Sequence, residues 1–211
     1  MKSRFITIEG VEGVGKSTVL AFISAQLKKE AIDFVVTREP GGTKVAEALR
    51  DIMLHHETEP LLPETELLLL FAGRAQHIAE VIQPALKSGK WVVCDRFVDA
   101  SFAYQGGGRN IPMQHIEYLS RWIVRDCKPD LTLLLDAPVE IGLERLKKRG
   151  AKDRIEKENI IFFERVRQVY LDRAKQESNR FVVISANQSI EQVEKHINFT
   201  LKKIINTRSL T

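Results

Sequence analysis

Residues 10–17, GVEGVGKS, constrain this chain more than any other stretch. They follow FITIE (5–9), an alternating run that reads as a strand. They open a segment that carries Leu20, Ile23 and Leu27 on one helical face. Glycines at 10, 13 and 15 let the backbone reverse sharply between the two elements and aim its N–H groups inward. The helix N-terminus adds positive potential. In that context G-x-x-x-x-G-K-[ST] is a phosphate cradle. Lys16 is expected to reach the β- and γ-phosphates of a nucleotide, and Ser17 to hold Mg²⁺. Val11, Glu12, Val14 and Thr18 complete the loop around the nucleotide.

The rest of the chain alternates in the same way. Strands are predicted at 5–9, 33–37, 91–94, 131–136 and 181–185. Helices are predicted at 16–30, 45–55, 64–87, 113–127, 138–149, 156–176 and 190–205. Short, mostly apolar strands separated by helices imply a parallel sheet covered on both faces. The expected fold is a three-layer α/β fold of the P-loop NTPase type, with a five-stranded parallel sheet and helices on both faces. No repeat, low-complexity tract or linker splits the 211 residues, so residues 1–211 form one domain.

Composition narrows the class of function. The net charge of +4 suits a site for several phosphates as well as it suits nucleic acid. A DNA-dependent ATPase would be larger and carry a basic groove, and a GTPase needs an N-K-x-D that this sequence lacks. SAN at 185–187 is only a weak echo of a GTPase motif. Cys94 and Cys127 show no metal-ligand spacing and suit a reducing compartment. The N-terminus has no apolar signal core, and no run approaches membrane length. The expectation is a cytoplasmic protein with neither membrane nor nucleic-acid partner.

A P-loop alone does not say what receives the phosphoryl group. In an open α/β sheet, ligands lie beyond the carboxyl ends of the strands. TREPGGT (37–43), CDRF (94–97) and YQGGGR (104–109) all fall there. Arg38 and Arg96 thus reach the rim of the P-loop, where paired guanidinium groups suit a second phosphate. Asp95, ending an apolar strand, stands where an acidic residue organises Mg²⁺ and its waters. On the long helix Leu67, Leu70, Phe71 and Arg74 share a face. Phe71 with Arg74 can stack on a planar base and bond its edge. Pattern alone favours the alternative, a core phenylalanine beneath a snorkelling arginine. The five histidines are scattered and read as structural or exposed.

IEGVEGVGKST, TREPGGT, LLLFAGR, VVCDRF, SFAYQGGGR and DRIE occur here in the order and at the spacing of bacterial thymidylate kinases, which the chain resembles over nearly its whole length. REPGG and YQGGGR discriminate far better than the P-loop does. The resemblance implies ATP-dependent phosphorylation of dTMP to dTDP with Mg²⁺, in a cytoplasmic homodimer. It places Phe71 against the thymine ring and Arg74 on its edge, with Ser101 and Gln105 as further base contacts. Arg38, Arg50 and Arg96 would surround the acceptor phosphate. Glu12 would touch the sugar 3′-hydroxyl, and Tyr104 would lie against the sugar. Glu9 and Asp95 match acidic positions near the metal and phosphates, and the Glu39–Pro40 bond is expected to be cis. Phe97 departs from the usual Tyr or His, and Gly73 from the usual Ala.

The transition state needs a mobile cation besides Lys16, and the P-loop interior carries no arginine. ERLKKRGAKDRIE (144–156) is therefore expected to be a basic lid over ATP. Arg149 is the expected catalytic arginine, with Arg145 and Arg154 assisting at ATP. The competing reading is a solvated basic turn. The rival functions are a kinase for another nucleotide or nucleoside, and a P-loop ATPase that switches shape. Consecutive Leu67, Leu68, Leu69 and Leu70 exceed what one small domain buries, which points to a dimer.

Overall fold

The computed structural model describes residues 3–55, 59–147 and 153–206. All strands pair in parallel in one sheet. They are β1 (Phe5–Glu9), β2 (Phe34–Arg38), β3 (Trp91–Asp95), β4 (Leu131–Asp136) and β5 (Phe181–Ser185), in the order β2-β3-β1-β4-β5. The five predicted strands are all present, within a residue at each end. The three central strands are the more apolar because helices cover both of their faces. Buried side chains fall into two clusters. One holds Ile6, Ile8, Leu133, Phe163 and Tyr170; the other holds Phe5, Phe71, Val92, Phe97 and Phe102.

The helices are α1 (Lys16–Lys29), α2 (Lys44–His55), α3 (Pro63–His77), α4 (Gln83–Lys87), α5 (Val98–Ser101), α6 (Met113–Ile123), α7 (Val139–Lys147), α8 (Ile160–Gln176) and α9 (Ile190–Asn206). The helix predicted at 64–87 is not uniform. Between α3 and α4 the chain widens into a π-helical turn, Ile78–Ile82, and the Gln83 N–H bonds Ile78 O. Pro84 is the cause: it donates no N–H and its ring crowds the carbonyl one turn back. The helix predicted from 156 begins at Ile160, because Asn159 caps it by accepting from Phe162 N at 2.9 Å.

Residues 98–108, to which the sequence pattern assigned no element, form α5 and then a second π-helical stretch, Phe102–Gly108. Its glycines are needed for contact. A Cβ on Gly108 would lie 2.4 Å from the Phe162 ring, and one on Gly107 would lie 2.9 Å from Arg165 O. Arg165 donates to Gly107 O at 3.0 Å and Gly108 O at 2.7 Å, satisfying carbonyls at the end of the turn. Packing against α8 thus builds this segment, and local periodicity does not.

Both departures from the family pattern sit in the core. Phe97 is buried edge-to-face on Phe5, with ring centroids 4.9 Å apart. Gly73 faces Ala46 of α2.

Candidate active site

The phosphate loop joins β1 to α1. Gly10, Gly13 and Gly15 all have positive φ, at 138°, 72° and 95°. The loop is clamped from outside by α7. A Cβ on Gly13 would lie 2.1 Å from Gly142 O, and one on Gly142 would lie 2.4 Å from Glu12 O. Lys16 Nζ donates to Gly10 O at 3.0 Å and Val11 O at 2.8 Å. Burial, and then the nearby Arg96, lower the Lys16 pKa to about 8. Glu12, Gly13, Gly15, Lys16 and Ser17 line a cavity of about 440 Å³. Val11 and Val14 instead anchor the loop in the core, Gly10 packs closely on Leu135 O, and Thr18 is exposed on the first turn of α1.

The same cavity extends beyond the ends of β2 and β3. Arg38, Arg50, Arg96, Ser101, Tyr104 and Gln105 line it. Arg96 has φ 69°, a left-handed conformation that costs a non-glycine residue about 1–2 kcal/mol. Its guanidinium donates to Glu12 at 2.7 Å and lies 4.7 Å over the Tyr104 ring. Burial alone would lower the Arg96 pKa; Tyr104, Glu12, Tyr170 and Asp95 outweigh it and keep the group cationic. Tyr104 OH donates to both Glu12 oxygens, at 2.8 and 2.7 Å. Arg50 donates to Pro40 O at 2.8 Å, and burial together with Arg38 lowers its pKa. Arg38 pairs with Glu47 at 2.8 Å.

The far end of the cavity is built by a chain of hydrogen bonds absent from the sequence reading. Glu39, in a cis Glu39–Pro40 peptide, accepts from Arg74 Nε at 2.7 Å. Its other oxygen is 3.0 Å from His77 Nδ1, and His77 Nε2 is 2.7 Å from Thr37 Oγ1. Arg74, 2% exposed, also donates to Phe97 O at 3.3 Å. Its Nη1 has no partner among the described residues, and the same holds for Gln105 Oε1, Ser101 Oγ and Asp95 Oδ1. Each of these residues lines the cavity. The helical stripe Glu66, Leu70, Arg74 and His77 is the signal that would have found His77.

Some expectations need correction. Phe71 does not line the cavity: it is 2% exposed, in the core beneath Arg74, whose guanidinium carbon lies 4.6 Å from its ring centroid. Leu70 lines the cavity instead. One residue turns a helix by about 100°, so the two side chains face different surroundings. Glu9 is also absent from the wall. It is fully buried and accepts from Phe97 N and Tyr170 OH, each at 2.7 Å. Burial, and then Asp99, raise its pKa to about 8. Arg154 is not part of the cavity wall. It donates to Met53 O at 2.9 Å and pairs with the buried Glu66. Arg145 lines the cavity, 3.4 Å from Gly13 O. Arg149 lies outside the described residues.

A divalent ion fits this donor set. Ser17 is exposed at the loop, and Asp95 brings a carboxylate oxygen that no described residue engages. One hydroxyl and one carboxylate suit an ion whose other ligands are phosphates and water.

A family model described as thymidylate kinase matches residues 8–197. Thymidylate kinase of Alcanivorax borkumensis is 49% identical over 197 residues, covering 93% of this chain and 95% of that protein. Thymidylate kinase of Pseudomonas putida is 49% identical over 205 residues, covering 97% and 98%. The crystal structure of thymidylate kinase from Ehrlichia chaffeensis matches with a TM-score of 0.76 at 32% identity, covering 96% of this chain and 99% of that one. A phosphate loop, an arginine cluster and a polar far end share one cavity, and the likeness runs along nearly the whole chain: it belongs to the thymidylate kinase family of nucleoside monophosphate kinases.

Proposed function

We propose that this cavity moves the γ-phosphoryl group of ATP onto the phosphate of dTMP, giving dTDP for dTTP synthesis, and that its residues divide the work as follows. One observation carries the reading. Unpartnered buried groups of complementary type, the Arg74 Nη1 donor and the Gln105 Oε1 acceptor, share a cavity with the P-loop and the arginine cluster. A pyrimidine with a carbonyl beside an N–H satisfies both; Ser101 Oγ adds a hydroxyl. Leu70 and Phe97 supply apolar wall beside them.

The P-loop amides and Lys16 hold the ATP phosphates. Arg38, Arg50 and Arg96 hold the dTMP phosphate in line with the γ-phosphorus. The incoming phosphate oxygen is largely deprotonated at neutral pH, since its second pKa is near 6. No strong general base is required. Glu12, gripped by Arg96 and Tyr104, faces the sugar from within the P-loop and so links donor and acceptor halves. Ser17 and Asp95 would hold Mg²⁺, which when bound neutralises charge on the β- and γ-phosphates. Arg145 and Arg149 supply the cation that the P-loop lacks.

Leu68, Tyr118 and Trp122 are 58%, 64% and 59% exposed on α3 and α6, which supports a homodimer through this face. No helix among the described residues is long and apolar enough to cross a membrane. The proposed setting is the cytoplasm.

A coupled assay with ATP and a panel of acceptors tests the reading. Phosphorylation of dTMP, with little or none of thymidine, AMP or CMP, is expected. ATP hydrolysis stimulated by DNA, without any phosphate acceptor, would overturn it.

A further inference from the structure

Glu66 is an acidic side chain that the reaction does not use. It is 0% exposed, in the first turn of α3. Several donors converge on it from different parts of the chain. Gln105 Nε2 donates at 2.6 Å, from the π-helical stretch. Arg109 Nε donates at 3.3 Å, from the end of that stretch. Arg154 Nη2 donates from the C-terminal end of the basic run 144–156. Arg109 is itself fixed: it bonds Glu158 at 2.5 Å and stacks 4.9 Å over the Phe162 ring.

Gln105 is the member of this group that reaches the cavity. A side-chain amide can present either its oxygen or its nitrogen to a ligand. A carboxylate that already receives guanidinium N–H groups only accepts, so the Gln105 nitrogen must face Glu66. Its oxygen is thereby the atom left for a ligand, buried and without a partner among the described residues. An acceptor at that point satisfies a base whose edge donates a ring N–H, as thymine does. It opposes a base that presents a bare ring nitrogen there, as cytosine does.

We infer that Glu66 is a positioning residue that sets the polarity of Gln105 and so the choice between thymine and cytosine nucleotides, and that Arg154 ties this setting to the C-terminal end of the basic run 144–156. The inference rests on the proposed role of Gln105 at the base. Arg154 spans Glu66 and Met53 O, joining α3 to the last turns of α2, and so holds the carboxylate where Gln105 needs it.

The test is the ratio of kcat/KM for dTMP to kcat/KM for dCMP, measured on the full chain with ATP saturating. Both values come from one preparation, so the ratio is independent of how much of a variant is folded. In Glu66→Gln the new amide can donate as well as accept, and Gln105 is free to turn over. The ratio is expected to fall at least about tenfold, near the lower end of what one unsatisfied buried group costs. Arg154→Gln is expected to lower it severalfold with little change in KM for ATP. Glu66→Asp keeps the charge and provides a second, milder variant should Glu66→Gln not fold; a smaller fall is expected. Equal losses for both substrates, with the ratio unchanged, would overturn the inference and leave Glu66 as a structural residue. Gln105→Leu separates the two levels. If it collapses the ratio and the Glu66 variants do not, the positioning role fails and the reading of Gln105 stands. If it too leaves the ratio unchanged, the reading of Gln105 fails.

Discussion

Gly142→Ala should impair catalysis from a position outside the cavity wall. Gly142 lies within α7, where alanine is favoured over glycine by about 1 kcal/mol. Among the described residues its obstacle is the P-loop: the new Cβ would lie 2.4 Å from Glu12 O. Ordinary carbon contacts begin near 3.5 Å, so loop and helix must part by about 1 Å. Overpacking of this kind costs about 1–3 kcal/mol, and the gain in helix propensity offsets part of it. Net destabilisation of about 0–2 kcal/mol follows, or at most several degrees in Tm for a chain of this size. The effect on rate should be far larger. A 1 Å misplacement of the phosphate-binding backbone is worth about 10² in kcat. KM for ATP should rise, and KM for dTMP should stay within a fewfold, because Arg74, Gln105 and Ser101 lie at the other end. Steady-state kinetics beside thermal denaturation make the comparison. A kcat within threefold of the parent would refute the argument that this backbone contact fixes the loop.

Gly73→Ala is the matched contrast: its Cβ would meet Ala46 Cβ at 3.5 Å, an ordinary contact, so the change should stabilise the protein by up to about 1 kcal/mol with activity intact. A drop in Tm would refute this. Lys16 should be charged below pH 8 and neutral above it, so kcat/KM for ATP should be level at neutral pH and fall as pH rises through about 8; a profile level to pH 9.5 would exclude Lys16 as the titrating cation. Phe71→Ala should cost about 3–5 kcal/mol in chemical denaturation, as expected for a core aromatic. A loss below about 1 kcal/mol would return Phe71 to the cavity wall.

The sequence disclosed those parts whose cause is local. Alternating apolar runs are the strands themselves, so all of them were readable, and GVEGVGKS carries its own turn. The stretch 98–108 was unreadable because Phe162 and Arg165, more than fifty residues later, determine how closely its glycines pack. Phe71 and Leu70 show a finer limit. Pattern put both on one broad face of α3, and only the position of α2 and β3 decides which of them meets the cavity. Arg154 was assigned to ATP because it lies in a basic run. Charge counting cannot see Glu66, a buried acid far away in sequence, which claims it. The Glu39–His77 link was hidden for the same reason: its partners are 38 residues apart.

The parallel register sets a ruler beneath the reaction. Ile8 of β1 and Arg38 of β2 both align with Asp95 of β3, so donor loop and acceptor arginines begin from strand ends that stand side by side. Neighbouring strands are about 4.8 Å apart, which puts the roots of β1 and β2 roughly 10 Å from each other. Backbone hydrogen bonds hold that spacing, and no side chain sets it. Substitutions in the cavity can therefore change which base is read or how firmly a phosphate is gripped. They leave unchanged the strand spacing from which the donor and acceptor loops begin. A variant selected to accept a longer acceptor, such as one with an added phosphate, should therefore move its arginines along their loops and leave the sheet as it is.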